Sequence, residues 1–248
     1  MGSGLTAPSA EAFDRGAGRR SWRYAAAIWL AAPYGATIGI WTSPRLAFYA
    51  AVKLPLVMLV TVALTLAVAW VLARLLGWRL SLVSATALML LPLAVASVIL
   101  LALSPVSALF MLSTPAPDAA ARSTHNLLYC AHTFMVGAAA TAGIVVLRRL
   151  LFDLVERRRA RALLALWFAI YAVVGGEVAW AFRPFVGSIY EEVRFLRPNA
   201  LKGNVYEFLL QDVVPYLAAP PPPEAPDPPS QRRRDRGAQL QGESNDID

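Results

Sequence analysis

From residue 24 to residue 183 the chain reads as long apolar runs parted by short polar breaks, and nearly every charge falls in a break. A hydrocarbon layer about 30 Å thick takes roughly 20 residues of helix to cross. Five runs approach or exceed that length: residues 24–41, 46–73, 81–103, 126–147 and 162–182. Backbone polar groups find no water in hydrocarbon, so each run is expected to be a helix. Pro33, Pro55 and Pro92 are expected to kink three of them. Residues 106–112 are apolar but too short to span. They are expected to lie at the interface, after a helix end at Ser104-Pro105.

Past the fifth run the pattern turns amphipathic. Leu201, Val205, Phe208, Leu209 and Val213 share one helical face, while Glu207, Gln211 and Asp212 lie off it. Asn204 with Glu207 makes a capping pair, and Pro215 ends the run. From residue 218 the chain is rich in Pro and Arg and lacks apolar residues to bury, so disorder is expected. The expected fold is all-α, a polytopic membrane bundle of five transmembrane helices with a short outer amphipathic helix and a disordered tail. Its parts are a disordered N-terminus at 1–23, a transmembrane domain at 24–184, an outer segment at 185–217 and a tail at 218–248.

Composition supports that class. Charged residues make up 16% of the chain against about a quarter in soluble proteins, and mean hydropathy is +0.51. The net charge of +7 comes from Arg beside the apolar runs, a pattern that suits phospholipid headgroups better than a nucleic-acid face. The basic residues also set orientation. One side receives Arg15, Arg19, Arg20, Arg23, Arg74, Arg79, Arg148, Arg149, Arg157, Arg158, Arg159 and Arg161; the other has Arg45 and Arg122, with Lys53 near it. The arginine-rich side is expected to be cytoplasmic, with the C-terminus outside after five spans. Arg far outnumbers Lys and Ala is abundant, which points to a GC-rich bacterial genome and an inner-membrane location. The connection at 148–161 is expected to be a helical extension in which Asp153 pairs with Arg157.

A few polar residues fall inside the runs. Counted from the outer ends, Lys53, His132 and Glu177 each lie about 10 Å deep, level with Tyr34 and Ser97. Matched depth on separate helices suggests one polar layer, with Lys53 and Glu177 as its ion pair and His132 and Tyr34 nearby. Each residue has a plainer reading. Lys53 can snorkel to the headgroups, His132 can be an inter-helix hydrogen-bond residue, and Glu177 can be purely structural. Gly35 and Gly39 form a GxxxG, and Gly137 and Gly143 line a similar groove with Ala140, both expected to serve close helix packing. Cys130 stands alone, and His125 and His132 lack carboxylates at ligand spacing, so no disulfide, metal or cofactor is expected. The chain has no HExxH, GxSxG or phosphate-binding GxxxxGK[ST] motif.

Two stretches carry a resemblance: Ala51-Val52-Lys53-Leu54-Pro55-Leu56, and Trp180 through Phe182 to Arg183-Pro184-Phe185-Val186-Gly187. Both resemble motifs of a bacterial family of uncharacterised five-span membrane proteins. The five-span plan also resembles that of Yip1-domain proteins, which implies membrane organisation or partner binding without enzymatic activity. The expected function is therefore a non-enzymatic integral membrane protein that binds the bilayer and a membrane-protein partner or a second copy of itself. The alternative is a small transporter or ion-translocating subunit using Glu177 with Lys53 and His132.

Overall fold

The computed structural model describes residues 12–114, 122–183, 185, 194–196, 200 and 203–208. The chain divides into two units, residues 1–205 and 206–248. Only residues 206–208 of the second are described, so the expected disordered tail and most of the 201–214 helix lie outside the described residues.

Regular structure among the described residues is all helical. The elements are α1 (Ala17–Ile28), a 3₁₀ turn (Trp29–Ala31), α2 (Ala32–Ile40), α3 (Pro44–Leu75), α4 (Leu82–Ser113), α5 (Arg122–Leu154), α6 (Arg157–Phe182) and the short α7 (Val205–Phe208). Among the described residues four helices are long and apolar enough to cross a membrane: α3, α4, α5 from Cys130 onward, and α6. The chain is a multi-pass helical membrane protein.

The first apolar run is not one helix. Pro33 has no N–H to give and its ring crowds the preceding turn, so α1 ends in the 3₁₀ turn before α2 restarts. Helix also begins earlier than the hydropathy suggests. Residues 12–15 are helical, and α1 starts at Ala17 rather than near residue 24. The Asp14 carboxylate accepts hydrogen bonds from Ser81 and Ser84, and Arg20 donates to the Phe13 carbonyl with its guanidinium over the Phe13 ring. Polar contacts therefore order residues 12–23, which their composition marks as disordered. Residues 1–11 lie outside the described residues.

A second difference concerns α4, which runs through Pro105 to Ser113 instead of stopping at Ser104. Proline at 105 leaves the Leu101 carbonyl without its amide donor, and the Ser104 hydroxyl donates to that carbonyl at 2.7 Å. A side-chain hydroxyl replacing the lost donor is how membrane helices tolerate proline. Residues 106–112 are thus the last turns of a span. At the opposite end of the bundle, α5 continues to Leu154, but Val155 and Glu156 break the helix before α6. The break separates Asp153 from Arg157, and the ion pair seen there is Arg159 with Glu156 at 3.6 Å.

The long helices are capped where the sequence allows. Ser43 and Ser81 accept at 3.1 Å from the amides of Leu46 and Ser84, starting α3 and α4. α3 ends at Gly77, whose φ of 80° lets its amide bond the Arg74 carbonyl and the Trp78 amide bond that of Ala73. The trace then reverses into α4. Within the bundle α2 lies along α3, α1 and α2 lie along α4, α5 packs on α4, and α6 packs on α3. Trp167 Nε1 donates to the Ala69 carbonyl at 3.0 Å and the Tyr171 hydroxyl to that of Met58 at 3.3 Å, fixing α6 to α3.

Candidate functional site

The expected polar layer resolves into separate groups. Tyr34 on α2 and His132 on α5 do meet. The Tyr34 hydroxyl lies 2.9 Å from His132 Nδ1, and the two rings stand edge-to-face at 5.7 Å. On its other side His132 Nε2 sits 3.3 Å from Met111 Sδ. A thioether only accepts, so Nε2 carries the proton, Nδ1 accepts, and the Tyr34 hydroxyl donates. Both side chains are buried. One helical turn along α2, the Thr37 hydroxyl donates to the Tyr34 carbonyl at 2.7 Å and lies 2.6 Å from Ser107 Oγ. Thr37 has given its only proton, so Ser107 donates to Thr37. Together these residues form a three-helix node in which each polar side chain has a partner.

Thr37, Ser107 and Met111 are the members that hydropathy does not reveal. Ser107 and Met111 sit on the part of α4 beyond Pro105, and they become candidates only once that helix is known to continue.

Ser97 is not in the node. Its hydroxyl donates to the Leu93 carbonyl of its own helix at 2.8 Å and lies 3.7 Å from Met58 Sδ on α3. Lys53 is fully buried, and its ammonium faces the rings of Phe185 and Phe195 at 5.9 and 5.4 Å. Tyr49 stands edge-to-face on Phe195 at 5.4 Å. Phe185 and Phe195, which follow α6, therefore form an aromatic cover at the N-terminal end of α3, holding Lys53 by cation–π attraction. The same cover keeps Lys53 from snorkelling into open lipid.

Glu177 stands apart. No ion pair joins it to Lys53, contrary to the expectation from matched depth. Depth fixes a residue's level but not which way its helix is turned, and α6 meets α3 through Trp167, Tyr171 and Gly175. Among the described residues, Glu177 Oε1 is buried without a hydrogen-bond partner.

The packing glycines divide unevenly. A Cβ on Gly35 would fall 2.5 Å from the Ala50 carbonyl oxygen, and one on Gly39 would fall 2.6 Å from that of Leu46, so the GxxxG of α2 is filled by α3. A Cβ on Gly143 would meet the Pro92 carbonyl oxygen at 2.1 Å, so α5 rests backbone to backbone on α4. Gly137 is different. Among the described residues nothing lies within 4 Å of its Cβ position, and the expected groove of Gly137 with Gly143 does not form. Six residues of helix turn through about 600°, which puts Gly137 on another face from Gly143. Among the described residues no cluster of His, Cys, Asp and Glu could hold a metal ion.

Compared with protein-family models, curated proteins and solved structures, the chain matches none. Its functional reading therefore rests on the geometry above.

Proposed function

We propose that this chain is a non-enzymatic integral membrane protein that acts by self-assembly or by binding a membrane-protein partner. The observation that carries the reading is the open face around Gly137. Cys130, Phe134, Gly137, Ala138, Thr141 and Val145 form a continuous exposed stripe on α5, small at its centre. Thr141 spends its hydroxyl on the Gly137 carbonyl at 2.8 Å, so the stripe offers no unmet donor. Small, satisfied surfaces of this kind let helix backbones approach closely in lipid, where association depends on packing. Gly35, Gly39 and Gly143 are already filled within the chain, which leaves Gly137 for a neighbour.

In this reading the run at 17–40 is a fifth, broken span. It supplies Tyr34 and Thr37 to a node shared with α4 and α5, and those partners belong inside the bundle. Most arginines of the connections between spans group at one end, which supports a cytoplasmic N-terminus and an outer C-terminus in a bacterial inner membrane. The test is the mass of the protein in lipid nanodiscs. Wild type should run as a dimer or higher assembly, and Gly137→Leu as a monomer. A wild-type monomer that captures no partner helix in its native membrane would overturn the proposal.

Glu177 favours a second reading, an ion-translocating subunit, because a buried carboxylate oxygen without a hydrogen-bond partner suits a proton or cation. A thermal double-mutant cycle of Lys53→Ala and Glu177→Ala separates the two. The bundle account predicts that the two changes add, with coupling within about 0.5 kcal/mol. If Glu177→Ala alone stabilises the protein and abolishes ion flux in liposomes, the ion reading replaces it.

A further inference from the structure

Between α4, α5 and α6 lies a groove of about 130 Å³ walled by apolar side chains, Pro92, Ile144, Leu147, Leu164 and Phe168 among them. It exists because α5 and α6 pack on different neighbours, α5 on α4 and α6 on α3, and touch each other only thinly. Its walls extend from Ala140 to Leu147 on α5 and from Leu164 to Tyr171 on α6, about 10 Å at the helical rise.

One end of the groove meets the arginine-rich end of the bundle. Arg148 follows Ile144 by four residues on α5, and Arg161 precedes Leu164 by three on α6, so each lies on the groove face of its helix. Both are exposed, and neither is ion-paired among the described residues. The Arg148 guanidinium stands 5.3 Å from the centre of the Phe152 ring, one turn beyond the groove. Arg149, Arg157 and Arg158 are exposed beside them, while Glu156 is engaged by Arg159.

We propose that this groove is a specific site for a phospholipid with an anionic headgroup, one acyl chain lying between α5 and α6 and the phosphate held by Arg148 and Arg161. A helix about 10 Å across is too wide for a slot of this volume, whereas an acyl chain is narrow and needs no hydrogen bonds. Basic residues between spans at a leaflet surface add charge attraction to that apolar fit. The site is independent of whether copies associate, because the Gly137 stripe lies on an adjoining face of α5.

The test titrates mildly delipidated protein in detergent with phosphatidylglycerol or with phosphatidylcholine of the same chains, and native mass spectrometry counts the lipid retained. One phosphatidylglycerol per chain is expected, held about tenfold or more tighter than phosphatidylcholine. Arg148→Gln with Arg161→Gln should erase that preference, while Arg19→Gln with Arg23→Gln should keep it. Ile144→Trp, which fills the groove, should retain neither lipid; if it does not fold, Ala140→Leu serves in its place. Equal retention of the two lipids would overturn the site, as would an unchanged preference in the Arg148/Arg161 variant. So would lipid still held by a folded filler variant, or a dimer whose interface covers the groove.

Discussion

Tyr34 and His132 show how much a single buried hydrogen bond organises in this chain. Each would be costly alone in hydrocarbon, and each is satisfied by the other, with Met111 closing the far side of the imidazole. Tyr34→Phe and His132→Leu should therefore couple by roughly 0.6–1.7 kcal/mol in a denaturation cycle in detergent. Strictly additive losses would mean that the pair does not form. Hydropathy alone placed these two residues at one level, because depth follows directly from counting along a helix. It misjudged Lys53 and Glu177 because pairing also needs rotation about the helix axis, and one sequence does not fix that. The aromatic cover over Lys53 was hidden for a related reason: Phe185 and Phe195 reach it from a segment with no periodic pattern to place it.

At the scale of elements, close backbone contact and local hydroxyl chemistry decide what the helices do. Gly143→Ala pushes a methyl into the Pro92 carbonyl and should cost about 1–3 kcal/mol. Gly137→Ala meets open space and should stay within about 0.5 kcal/mol of wild type. Similar losses from both in thermal unfolding would remove the distinction on which the open α5 face depends. α3, α5 and α6 were legible from apolar length, though α5 and α6 needed extending at the arginine-rich end. The course of α4 was not, since Ser104-Pro105 reads as a stop and becomes a continuation only when the serine supplies the missing donor. α1 was extended and ordered by Asp14, a residue without hydrophobic signal. Hydrogen bonds from Ser81 and then Ser84 hold the Asp14 carboxyl below its usual value of 3.8, outweighing a small desolvation effect that raises it. A depressed folded value contributes stability above the unfolded value and loses it as pH falls through the folded one. Protection of the amides of residues 12–23 against exchange should therefore hold near neutrality and be lost only as the pH falls below the usual carboxylate value. Unchanged protection there, or in Asp14→Asn, would show that Asp14 does not hold the segment.

Across the whole molecule, the described unit is a bundle whose interior polar groups largely satisfy one another, while one face of α5 is small, apolar and uncovered. That combination is what the account explains by association within the membrane. Cys130, the chain's only cysteine, is exposed and lies two turns from Gly137 on the same stripe, so it reports on that face directly. The decisive measurement is disulfide formation through Cys130 in native membranes under mild oxidation, read as a shift on a non-reducing gel. The account predicts a Cys130-linked species in wild type, lost in Cys130→Ser and strongly reduced in Gly137→Leu. Cross-linking that is absent, or that persists unchanged in folded Gly137→Leu, would contradict self-association through this face.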